Sequence, residues 1–267
     1  MELTPNIKKA IQRYAPVEAE GLTLYPVVMA EREEFEYARP AIDMMQQSMP
    51  PAYAAMPLLS AYYKMDYEAA MKGEEPVGLF AGALLMLALS LRLGTGLTAE
   101  ERLGLFRLKA DGEDMSRLMA VTFWADGEEL HSVTPVQFQR LREIIAAQNG
   151  IELTPEDANA ELVEAERALH EMEGAALSGD AGEKIAAVCA LCRVDEDEVE
   201  QWPILKFQTR AKTWQRIIGF AVCGVAQAQG GRWKGGNPYP SMFYERTDRE
   251  SGALRPINEV TRGMTAQ

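Results

Sequence analysis

Residues 77–91 read VGLFAGALLMLALSL, the strongest apolar run in the chain. Whether it crosses a membrane or fills a core decides the fold. A bilayer span needs roughly 20 consecutive apolar residues. This run stops short of that, is interrupted by Gly78 and Gly82, and meets Arg92 at once. It is read as a buried core helix, with a membrane span as the minor alternative.

Working upstream, residues 73–76 (GEEP) form a turn, and residues 53–71 a helix rich in aromatics and Met, with Pro57 near its start. Pro50-Pro51 stops an earlier helix over 30–49, whose stripe is Phe35, Ala38, Ile42 and Met45. Residues 22–29 (LTLYPVVM) suggest a strand that Pro26 demotes to an edge or irregular segment. Residues 1–20 look like a short amphipathic lead-in.

Downstream, the texture changes at Gly94. Residues 105–109 alternate, 118–124 (LMAVTFW) form a β run, and Asp126-Gly127 turns it back through 128–133. Thr134-Pro135 then starts a helix with the stripe Phe138, Leu141, Ile144 and Ile145, and Asn149-Gly150 stops it. Thr154-Pro155 repeats the start signal, with Asp157 at the capping-box position, for a polar helix running to about Glu173. A loop over 178–182 is the best internal boundary. Residues 183–192 are a short apolar helix, 195–200 an acidic helix start, and 202–229 a helix closed by Gly230-Gly231. The expected fold is mainly α with a small β element (α+β), a helical bundle plus a short antiparallel hairpin. The expected division is 1–150, 151–230 and an extended tail over 231–267.

The totals bound the function. The chain of 267 residues carries 27 basic and 40 acidic groups, a net charge of −13, which opposes nucleic-acid binding by the chain as a whole. Three Cys fit a reducing compartment without a disulfide framework. The polar N-terminus, MELTPNIKKAIQRY, does not read as a signal peptide. Fourteen Met is high, and Met either fills irregular gaps or lines adaptable binding surfaces.

Against this acidic background, residues 202–244 contain no Asp or Glu. They hold Lys206, Arg210, Lys212, Arg216, Arg232 and Lys234, a charge of +6 that leaves −19 for the rest of the chain. They also hold Trp202, Trp214 and Trp233, three of the four tryptophans. Trp and Arg are favoured interface anchors. The candidate partner-binding residues are therefore Trp202, Lys206, Phe207, Arg210, Trp214, Arg232, Trp233 and Lys234. At least one of these tryptophans is expected to be core, because so large a side chain is a major packing element.

Other chemistry is weighed and set aside. Cys189 and Cys192 form a CxxC, but no second pair completes a zinc set, and an apolar helix favours packing over redox work. His131 and His170 are scattered without a local nucleophile. The carboxylates of 152–173 read as a solvated helix face with Arg167 among them. The run GGRWKGGN lacks the order of a phosphate-binding loop, and the acidic remainder opposes its use on single-stranded nucleic acid. No enzyme, catalytic residue, metal or cofactor is expected.

The series WPILKF, a basic helix, then GGRWKGGNPYPSMFYER is similar to the C-terminal ends of bacteriophage tail assembly chaperones, small helical proteins encoded near the tape-measure protein. The matching residues are Trp202, Ile204, Lys206, Phe207, Trp233, Lys234, Gly235, Gly236 and Pro238. The match covers about 40 residues well, and the N-terminal part only in texture. The resemblance implies a non-catalytic protein of the bacterial host's cytoplasm. Its partners would be the tape-measure protein and tail tube subunits, with no nucleic acid, no membrane, and homo-oligomerisation open. Many such chaperones are shorter, and the α+β unit of 105–150 has no assigned role. The alternatives are a structural virion component and a phage-encoded acidic inhibitor of a host defence protein.

Overall fold

The computed structural model of the chain describes residues 3–125, 129–154 and 181–229. The chain divides into two compact units. The first takes Met1–Glu156 and Glu200–Lys206, and the second Asp157–Val199 and Phe207–Gln267. The segment 200–206, grouped by sequence with residues 151–230, thus belongs with the N-terminal unit. The fold is mainly α, with two small antiparallel sheets among the described residues.

The first unit begins with helix α1 (Pro5–Gln12), capped by Thr4 and started by Pro5. Strands β1 (Val17–Ala19) and β2 (Leu22–Leu24) follow as a tight hairpin. Its turn takes left-handed backbone at both Glu20 (φ +52°) and Gly21 (φ +77°). The strand expected over 22–29 therefore pairs only as far as Leu24. Beyond it the backbone bonds elsewhere: Tyr25 N–H donates to Ser90 O at 2.7 Å, and Val27 N–H to Asn149 Oδ1 at 2.9 Å.

Helix α2 (Arg32–Asp43) buries Phe35, Ala38, Ala41 and Ile42, close to the expected stripe. It ends earlier than Pro50-Pro51 would impose. Arg142 supplies the reason, donating from Nε to Ile42 O at 2.6 Å and from Nη2 to Met44 O at 2.7 Å. These bonds satisfy carbonyls that a helix end leaves open. Helix α3 (Leu58–Lys72) starts after Pro57, so residues 50–56 are turns rather than its first coils. Its Tyr62 is fully buried and donates to Ala41 O at 2.9 Å; burial raises the phenol well above its ordinary pKa.

The apolar run forms helix α4 (Leu79–Ser90), in which every residue from Gly82 to Ser90 is buried. A helix apolar all round is a core helix, and twelve residues span only about 18 Å. No helix among the described residues is long and apolar enough to cross a membrane. Helices α2 and α4 approach closely because Gly82 faces small residues. A Cβ built on Gly82 lies 3.3 Å from Ala41 Cβ and 3.6 Å from Ala38 Cα. Gly82→Val is expected to push the helices apart at a cost of about 1–3 kcal/mol, read as a lower denaturation midpoint at unchanged m. An unaltered midpoint would mean the contact is loose.

Helix α5 (Ala99–Leu103) carries a capping box of Thr98 and Glu101. Strands β3 (Arg107–Ala110), β4 (Leu118–Ala125) and β5 (Glu129–Val133) make a three-stranded meander in that order. Helix α6 (Pro135–Gln148) starts at Thr134-Pro135 and gains a capping box from Gln137. It buries Phe138, Leu141, Ile144 and Ile145 and stops at Asn149, with Gly150 at φ +69°.

In the second unit, helix α7 (Ala181–Cys192) is followed by α8 (Glu196–Glu200), whose acidic residues lie at its N-terminal end. Helix α9 (Ile204–Ala228) starts in the first unit and continues through the second. The polar helix beyond residue 154, residues 178–180 of the loop expected over 178–182 and the tail from 230 lie outside the described residues, while Ala181 and Gly182 belong to α7 rather than to a loop.

Candidate partner-binding surfaces

The return of the chain at Trp202 is built from backbone bonds. Met29 N–H donates to Trp202 O at 2.9 Å, Ile204 N–H donates to Val27 O at 2.9 Å, and Val28 and Pro203 form an isolated antiparallel bridge. Pro203 lacks an N–H, so it fits a bridge whose hydrogen bonds are made by its neighbours, Trp202 O accepting and Ile204 N–H donating. This places the indole of Trp202 inside the first unit, with only 6% of the residue exposed. The ammonium of Lys206 stands 3.9 Å from the centre of the indole ring, a cation–π contact that covers its outer side.

The sequence candidates therefore separate. Trp202 and Phe207 are interior residues, and Lys206 is half-buried and committed to Trp202. Trp214 is half-buried, and Arg210 is exposed on α9. Arg232, Trp233 and Lys234 lie outside the described residues. Aromatic and basic residues close in sequence read alike whether the ring faces the chain's own core or a partner.

A different surface carries the exposed apolar side chains of the first unit. Along α3, Tyr63, Tyr67 and Met71 follow at four-residue spacing on one face. The two tyrosine rings are 6.2 Å apart, and Tyr63 also meets Phe80 edge-on at 5.3 Å. Tyr63 OH donates to Met115 O at 2.9 Å, which brings the loop before β4 to this face. Met71 is 72% exposed and Met115 56%. Met119 on β4 is also exposed, as are Trp124 and Leu130, which oppose each other across the β4–β5 pair. The sequence carried a signal for Trp124, because alternation puts it opposite Phe123 on the sheet. Which face is covered was decided by packing, and the side bearing Val121 and Phe123 turned inward.

The remaining candidates resolve as follows. His131 pairs with Phe123 across the sheet, its ring stacked at 6.0 Å and 17°, while Phe106 meets Phe123 edge-on at 5.6 Å. It belongs to an aromatic cluster, and its Nε2 is buried with no hydrogen-bond partner among the described residues. His170 and the carboxylates of the 152–173 run other than Glu152 lie outside the described residues. Among the described residues no group of three His, Cys, Asp or Glu can hold a metal ion. Cys189, Cys192 and Cys223 form no disulfide and are half-buried. Burial, and then the carboxylates of Glu196 and Asp195, raise the Cys189 thiol above its ordinary pKa. A raised pKa lowers the thiolate fraction and hence reactivity. Cys189 is expected to react with iodoacetamide at neutral pH several-fold more slowly than a free cysteine, as read by peptide mass spectrometry. Faster reaction would reopen the redox interpretation of the CxxC.

Compared with protein-family models, curated proteins and solved structures, the chain matches none.

Proposed function

We propose that the chain is a binding protein of bacteriophage tail assembly, holding the helical tape-measure protein and helping tail tube subunits assemble around it in the host cytoplasm. The motif resemblance of WPILKF and GGRWKGGNP supports this reading. The observation that carries it is the exposed Met71 and Met115 beside Tyr63 and Tyr67 on the first unit, with Met119 also exposed on β4. Methionine is unbranched and polarizable, so such a surface adapts to the varied apolar face of a long client helix. A net charge of −13 keeps a protein with exposed apolar surface soluble while it is loaded.

The test is affinity capture of the tagged full-length chain from cells expressing the whole tail module. The tape-measure protein is expected in the eluate. Met71→Asp together with Met115→Asp should reduce its recovery at least tenfold, while the exposed positions leave the fold intact by circular dichroism. Recovery undiminished by the double variant would remove the Met surface from the account. Presence of the chain in finished particles would favour a structural virion component, and capture of a host defence protein the inhibitor.

A further inference from the structure

One face of α9 carries a long apolar stripe. Ala211, Trp214, Ile218, Ala221, Val225 and Ala228 recur at alternating spacings of three and four, the a/d pattern of a coiled-coil seam. Ala211 and Trp214 are half-buried, and the next four are exposed, Ile218 by 48% and Val225 by 59%. Val222, beside the seam, is 62% exposed. From Ala211 to Ala228 the only charges are Lys212 and Arg216, and neither occupies a seam position. Ile217 and Gly224, which flank the seam, are half-buried, as is Cys223 on the far side.

We infer that this face pairs with the same face of a second copy, as an antiparallel two-helix seam centred between Gly219 and Phe220. In an antiparallel pair an a residue opposes a d residue. Ile218 then meets Ala221 of the second copy, Trp214 meets Val225, and Ala211 meets Ala228. Large side chains face small ones in the first two of these layers, which fills space evenly. A parallel pair would instead oppose Trp214 with Trp214 and each of Ala211, Ala221 and Ala228 with itself, giving one swollen layer and three empty ones, against the one empty layer of Ala211 with Ala228 in the antiparallel pair. Charge favours the same orientation. Lys206, Arg210, Lys212 and Arg216 all lie in the N-terminal half of α9, and the C-terminal half is uncharged. Antiparallel pairing sets each basic half beside a neutral one, whereas parallel pairing sets basic beside basic. The six seam positions themselves carry no charge, and a second copy matches them layer by layer.

Sedimentation equilibrium of the purified full chain tests this directly. The expected species has twice the 29.6 kDa chain mass. Ile218→Glu and Val225→Glu should each weaken association at least tenfold, while Lys212→Ala, off the seam, leaves it unchanged. Orientation is read in a chain with Cys189, Cys192 and Cys223 changed to Ser that still sediments as a dimer. There, Ala211→Cys with Ala228→Cys should form an intermolecular disulfide, and Ala211→Cys alone should not. A monomer at high micromolar concentration overturns the inference, as does a dimer insensitive to both Glu variants. A disulfide formed by Ala211→Cys alone overturns the antiparallel arrangement. A monomer that binds vesicles of anionic lipid through this helix also overturns it. Tape-measure capture is scored separately, so the client and the seam stand or fall apart.

Discussion

Trp202→Ala should destabilise the first unit by about 3–5 kcal/mol, the usual cost of truncating a large buried aromatic. The indole is buried, roofed by Lys206, and held in place on both sides by backbone bonds to Val27 and Met29. Truncation removes its packing and leaves a void that those bonded backbones cannot close. It also strips the Lys206 ammonium of its ring. Urea denaturation should show the midpoint falling without a matching change in slope, and Trp202→Phe should recover part of the loss. A residue serving only as a partner anchor would behave otherwise, with stability within about 0.5 kcal/mol of the parent and only binding lost. That outcome would return Trp202 to the interface.

Glu31→Ala is the second large effect, about 3–5 kcal/mol. Arg102 is only 3% exposed, and its Nη2 lies 2.6 Å from Glu31 Oε1. Its Nε donates to Leu97 O at 3.3 Å, and its Nη1 has no hydrogen-bond partner among the described residues. Removing the carboxylate leaves a buried guanidinium with one neutral acceptor. Removing both charges has a different sign. A pair taken out of water gains little net, so apolar replacement of both partners is often neutral or better. Glu31→Leu with Arg102→Leu should therefore be more stable than Glu31→Ala alone. Equal losses in the two variants would show that Arg102 is valued for its stem packing rather than its charge.

Local signals carried much of this fold. Thr134-Pro135 and Asn149-Gly150 bracket α6 because a cap, a preset φ and a left-handed stop each act within one helical turn. The run 77–91 was legible as core because its length and its freedom from charge bear on the question without knowledge of neighbours. The strands β4 and β5 were legible for the same reason, although Trp124 was not singled out as exposed, and the turn expected at Asp126-Gly127 lies outside the described residues. What was not legible is long-range. The end of α2 depends on Arg142, about a hundred residues away. Residues 25–29 read as a strand, yet they bond to Ser90, Asn149 and Trp202. The site suffered most. Trp202 looked like an anchor because its charge-rich neighbours do, and nothing local reveals that Pro203 bridges Val28.

That bridge has a consequence for how the chain is made. The first unit lacks its last piece until residues 200–206 have been synthesised, roughly fifty residues after Glu156. At roughly 5–20 residues per second, the nascent first unit waits roughly 3–10 seconds with the backbones of Val27 and Met29 open. During translation the second unit's 157–199 segment leaves the ribosome as a loop tethered at both ends, before its own remainder exists. A chain cut at residue 156 would stay in that waiting state, whereas one ending just past residue 206 would have all it needs to close.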